Sequence, residues 1–190
     1  MMERVRRRPI TSVWATASSQ MTRSLLLLLF GFLFSLSPEA KAQKRVYQKP
    51  SDFLKEAVGG LSGARVIQLN SRQKKVVRSI LGHHYKTSAI RCWQGKGRTA
   101  FILEEIGKAE YITTGFVLQG GKIVSTRVLV YRESHGWEVA RPAFTRQFRG
   151  AQMRSDTQLD RGIRNIAGAT LSVRALTRLG RLALYLETQI

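Results

Sequence analysis

The amino-acid sequence predicts an α+β fold: a central antiparallel meander preceded by N-terminal helices and closed by a C-terminal helix. Three β-rich runs, "RTAFILEEI", "EYITTGFVLQ" and "KIVSTRVLVY", fill most of the stretch from Arg98 to Glu138, separated by Gly107-Lys108 and Gly120-Gly121. Such runs, joined by short glycine-containing links, are hairpin-connected strands. Apolar residues at helical spacing flank this block on both sides. Because the strands are grouped and do not alternate with helices, a doubly wound parallel sheet is excluded.

The N-terminus stands apart from this plan. Leu25 to Leu36 is an apolar run preceded by Arg23 and followed by "SPEAKAQ", the tripartite layout of a secretory signal. The run has about a dozen residues, whereas a membrane span needs about 20. Ala40-Lys41-Ala42 places small residues before Gln43, so residues 1–42 read as a signal peptide cleaved after Ala42. The basic stretch before Met21 leaves two readings open: a long leader, or Met21 as the start. An uncleaved leader would tether the chain to a membrane. Both forms expose the mature part on the periplasmic side.

Residues 43–50 read as a polar lead-in and 51–190 as one domain. "DFLKEAV" after Pro50-Ser51 spaces Phe53, Leu54 and Ala57 as a short capped helix. In "SRQKKVVRSILGHH", Ser71 reads as the N-cap, Val76, Val77, Ile80 and Leu81 as the apolar stripe, and Gly82 as the stop. Cys92-Trp93 reads as buried strand. After the meander, Pro142 opens a short helix over "AFTRQF" and Gly150 ends it. The polar stretch "AQMRSDTQLDRG" then leads to "TLSVRALTRLGRLALYLE", with Leu176, Leu179, Ala183 and Leu186 on one face and Arg174, Arg178 and Arg181 on another.

Charge and cysteine content narrow the function. Residues 1–42 carry six Lys or Arg and two Glu, so +16 of the formal +20 belongs to residues 43–190. On an exported chain this basic surface suits anionic lipid or an acidic protein met transiently. The aromatics sit mostly in apolar context, which argues against nucleic acid. Cys92 is the single cysteine, which excludes an internal disulfide, CxxCH haem attachment and cysteine metal clusters. His83-His84 reads as a charged helix stop. Glu104 and Glu105 are strand neighbours pointing to opposite faces, so they do not act as a pair.

Two stretches remain as candidate sites. Spacing alone makes Thr170 the N-cap of the last helix. Gly168 and Ala169 before it form a small-residue turn, a cap does not need them, and a helix N-terminus behind such a turn accepts phosphate. Arg174, one turn on, adds a guanidinium fork on the same side. The second stretch, Glu133, Ser134, His135 and Gly136, is a polar loop after a strand. From the residues alone it reads as an ordinary loop, with His135 solvated.

"AGATLSVRAL" resembles the (S/T)GAT-(S/T) motif of the FMN-binding domain family, found in the C subunit of sodium-translocating NADH:quinone reductase and the G subunit of the Rnf complex. "GKIVSTRVLVYRESHGWEV" is similar to the family's strand pair and its glutamate-small-X-glycine loop, and "FTRQFRG" to the helix that follows in exported stand-alone members. The resemblance covers roughly residues 98 to 187. It implies an electron carrier, not a stand-alone enzyme, with FMN esterified through its phosphate to Thr170 by a separate flavin transferase. Gly168, Ala169, Ser172 and Arg174 are then cofactor-binding at the helix start, and Glu133, Gly136 and Trp137 lie near the flavin ring. The redox partner is an acidic or membrane-bound protein. Members usually carry an acidic residue six positions before the threonine and Ser or Thr three before it; here Arg164 and Ala167 stand there. The competing reading is a basic exported module for anionic lipid, polysaccharide or protein, without flavin and with Thr170 as a plain cap.

Overall fold

Side chains alternate along Arg98–Ile106, so that Phe101 and Leu103 enter one core while Ala100 and Ile102 pack into another on the opposite face. This two-sided burial organises the computed structural model, which describes residues 44–155 and 157–190. The expected signal segment lies outside the described residues.

In chain order the elements are β1 (Arg45–Val46), α1 (Pro50–Val58), β2 (Ala64–Gln68), α2 (Ser71–Leu81), β3 (Ala89–Gly95), β4 (Arg98–Ile106), β5 (Tyr111–Gln119) and β6 (Lys122–Tyr131). A 3-10 turn (Trp137–Ala140), α3 (Pro142–Thr145), a second 3-10 turn (Arg146–Phe148), the pair β7 (Met153–Ser155) and β8 (Gln158–Leu159), and α4 (Thr170–Glu187) complete it. The fold is α+β. A six-stranded antiparallel sheet runs in the order β1-β6-β5-β4-β3-β2, with α4 following the Gly168-Ala169-Thr170 turn.

The expected meander is β4, β5 and β6, in register from Thr99 opposite Leu118 and from Gln119 opposite Lys122. The sheet extends further than expected. β2 buries Ile67 alone among its five residues, so it shows no alternation. β1 is two residues within the polar lead-in, held on β6 by pairing with Val130 and Tyr131. The polar stretch after Gly150 contains the β7–β8 pair.

The starts of α1 and α2 differ from the sequence reading. α1 begins at Pro50 itself, after Lys49, and no side chain caps it. In α2 the cap is Asn70, whose side chain accepts from the Gln73 N–H while the Gln73 side chain accepts from the Asn70 N–H. Ser71 is one residue inside. This reciprocal pairing satisfies two orphan donors at once, which a lone serine cannot do.

α4 lies across β4 and β5, with Leu176, Leu179, Leu182, Ala183 and Leu186 fully buried. Each leucine contributes about 1.5–3 kcal/mol of transfer free energy. On the same face Phe148 meets Phe116 edge-on at 6.3 Å and Phe144 at 5.9 Å. These contacts draw the segment after β6 down onto the core beside α4. Among the described residues no helix is long and apolar enough to cross a membrane.

Candidate functional site

β6 ends at Tyr131, and the chain then folds back over the start of α4. Tyr131 is fully buried, and its hydroxyl donates to the His135 carbonyl oxygen at 2.5 Å. The Ser172 hydroxyl lies 2.8 Å from the Tyr131 phenol oxygen. A phenol has one proton, so Ser172 donates here. Burial pushes the Tyr131 phenol up to about 12, against the pull of the Ser172 bond, and keeps it a neutral donor.

Gly136 completes the clamp. Its φ of +85° belongs to the left-handed region, and a β-carbon there would lie 2.8 Å from Ser172 Oγ, 2.9 Å from the Tyr131 hydroxyl and 3.3 Å from Ala169 Cβ. Both backbone conformation and space therefore demand glycine. The two candidate stretches are brought together, with the 133–136 loop seated on the first turn of α4.

The turn into α4 is built by the Ala169 N–H bonding to the Ile166 carbonyl, with Gly168 at φ +79°. Among the described residues, nothing beyond its chain neighbours stands within 4 Å of the position a Gly168 β-carbon would take. The helix starts one residue earlier than a Thr170 cap would place it. Ala169 occupies the cap position, and its carbonyl accepts from Val173, while Thr170 is the first helical residue. Thr170 Oγ1 caps no N–H; it is exposed and accepts from Asn165 Nδ2 at 2.9 Å. The cap reading of Thr170 is thus corrected.

An α-helix leaves its first N–H groups unpaired, and here no side chain caps them and the first turn itself carries no acidic residue. That end of the helix carries partial positive charge. Arg174 stands one turn along, exposed, with no hydrogen bond or ion pair among the described residues. The result is an exposed hydroxyl at a positive helix end. Thr170 lines none of the clefts of about 330, 400 and 440 Å³.

Other expected contributors have different neighbours. Ala169 is buried, and its small size fits it beneath the chain's own Gly136 loop. Ser172 is 4% exposed and turned to Tyr131. Glu133 is 5% exposed, and its Oε1 accepts from the N–H groups of Lys108, Ala109 (2.8 Å) and Glu110 (2.9 Å). That carboxylate closes the β4–β5 turn. The Trp137 ring is flanked by the guanidinium groups of Arg141 and Arg45, 4.5 and 5.4 Å from its centroid. It is therefore already engaged with cations. His135 is exposed, with Nδ1 3.0 Å from Ser134 Oγ.

Sequence reasoning missed Asn165, which holds the Thr170 side chain, and Tyr131, which ties the loop to the helix. It also missed a partner for His83. The Glu105 carboxylate, 2% exposed, lies 2.8 Å from His83 Nε2, brought there by the strand alternation that separates it from Glu104.

The chain matches no protein-family model and no curated protein.

Proposed function

We propose that the chain is an exported flavoprotein domain that binds FMN as a phosphoester on Thr170 and relays electrons in a periplasmic or membrane-associated redox chain. One observation carries this reading. The two stretches that resemble the FMN-binding domain family, distant in sequence, meet through Gly136, Ala169 and Ser172.

The residues at the helix start fit a phosphate ester. Thr170 Oγ1 is exposed, and the Asn165 amide occupies one of its lone pairs, leaving the hydroxyl proton free to depart. The first-turn N–H groups and Arg174 balance phosphate charge. Ser172, Tyr131 and Glu133 hold the neighbouring loop in place, a supporting role in place of ligand contact. FMN, when bound, supplies one- and two-electron transfer; the chain positions it and tunes its potential. Covalent attachment keeps the flavin from diffusing away outside the cytoplasm. The basic surface suits brief docking on an acidic or membrane-bound redox partner.

The test is expression with a flavin transferase, followed by denaturing electrophoresis and in-gel flavin fluorescence. Wild type is expected to give a fluorescent band and Thr170→Ala a dark one. A dark wild type with a fluorescent Arg164→Asp/Ala167→Thr variant would separate the flavin site from native covalent attachment. Absence of flavin from every form, bound or attached, would overturn the reading.

A further inference from the structure

Toward the other end of α4, Arg181 is partly buried, and its Nε is shielded from solvent with no hydrogen-bond partner. No carboxylate pairs with its guanidinium among the described residues. Arg178, one turn earlier, adds like charge, and burial together with this neighbour pulls the Arg181 protonation equilibrium downward. A desolvated cation without a counter-ion is costly unless something supplies the missing negative charge.

Arg181 lines a cleft of about 440 Å³ between α2, α4 and the β7–β8 pair. Ser79 of α2 and Thr157 add hydroxyls, and Arg154 adds a second guanidinium, bonded among the described residues only to the neutral Gln158 amide at 2.7 Å. Asp160 also lines the cleft, but its carboxylate is held at both oxygens by Arg161, 3.0 Å to each. Arg161 in turn donates to the Arg149 and Gly150 carbonyls. That acid is therefore neutralised within a closed pair. What remains is rich in donors: two guanidinium groups with no carboxylate partner among the described residues, and two hydroxyls. This set suits a tetrahedral oxoanion, because guanidinium forks match the oxygens of a phosphate.

We propose that the cleft between α2, α4 and the β7–β8 pair binds a phosphate group through Arg181 and Arg154, with Ser79 and Thr157 as hydroxyl partners. The site is separate from Thr170, about 16 Å away along the helix axis at 1.5 Å per residue. It stands whether or not Thr170 carries a flavin. The phosphate comes either from a small phosphorylated solute or from the headgroup of an anionic lipid.

Thermal unfolding of the full-length protein tests this, with sodium phosphate titrated against sodium chloride at matched ionic strength. Flotation with phosphatidylcholine vesicles, with and without phosphatidic acid, forms the second arm. A saturable rise in melting temperature with phosphate is expected for wild type and Thr170→Ala, with loss in Arg181→Met, which keeps the apolar stem. Arg154→Gln, an exposed position that leaves the core untouched, is expected to weaken the response at least threefold and keeps the test valid should Arg181→Met fold poorly. A phosphate response supports a soluble ligand. Flotation that needs phosphatidic acid and fails in these variants, without a phosphate response, supports a lipid headgroup. Equal responses in wild type and both variants, or no response in either arm, would overturn the proposal.

Discussion

Tyr131 and Ser172 share a buried hydrogen bond of 2.8 Å that fixes the last residue of β6 to the first turn of α4. Because Tyr131 also donates to the His135 carbonyl, one phenol holds both the loop and the helix. Tyr131→Phe leaves the buried Ser172 hydroxyl and the part-buried His135 carbonyl without this partner. A loss of about 1–3 kcal/mol follows, read as a lower denaturant midpoint at constant slope. Gly136→Ala adds strain at φ +85° and a clash with the same two hydroxyls, and is expected to cost at least as much. An unchanged midpoint in both variants would refute the clamp.

Thr170→Ala is expected to leave stability within about 0.5 kcal/mol, as for a surface substitution away from a cap. Loss of a true N-cap costs about 0.5–2 kcal/mol. The difference arises because Thr170 Oγ1 bonds Asn165 and no helix N–H. Chemical denaturation of the two proteins without flavin decides between these values.

Glu133→Ala removes the acceptor of three N–H groups and is expected to cost about 2–3 kcal/mol, since bonds to a charged acceptor contribute more than neutral ones. The mark of this role is local. Amides of Lys108, Ala109 and Glu110 lose hydrogen-exchange protection before those of α4 do. Persistent protection at those amides would refute it.

The His83–Glu105 pair predicts a pH dependence. His83 is raised above the ordinary imidazole value of 6.5, first by donating to the His84 carbonyl and next by the Glu105 carboxylate. A histidine raised on folding stabilises most below its unfolded pKa, and that contribution is lost as pH rises through the folded value. Melting temperature should therefore fall as pH climbs above 6.5 and through the raised folded value, and His83→Gln should flatten the slope. The imidazole is 47% exposed, so solvent screens the effect and keeps it small. An imidazole titrating at or below 6.5 by NMR would contradict the assignment.

Strong periodicity made most of this architecture readable. The apolar stripe through Leu176, Leu179, Ala183 and Leu186 gave α4 its buried face, and β-rich runs separated by glycine-containing links gave three strands of the sheet between Arg98 and Tyr131. β2 escaped because an edge strand with one buried residue carries no period-two signal. At the candidate site, the glycine of the loop and the GAT turn were legible as backbone requirements. The roles of Ser172 and Glu133 were not, because their partners, Tyr131 and the turn at Lys108–Glu110, are distant in sequence. One signal for Ser172 was present: it continues the buried stripe one turn ahead of Leu176, a position that faces the core and not a ligand.

The most direct test of the central claim is peptide mapping of the protein purified after expression with a flavin transferase. Trypsin releases residues 165–174, "NIAGATLSVR", between Arg164 and Arg174. The expected result is this peptide carrying the mass of FMN less one water, with fragment ions placing the addition on Thr170. An unmodified peptide from flavin-containing protein, or an addition on Ser172 or elsewhere, would contradict it.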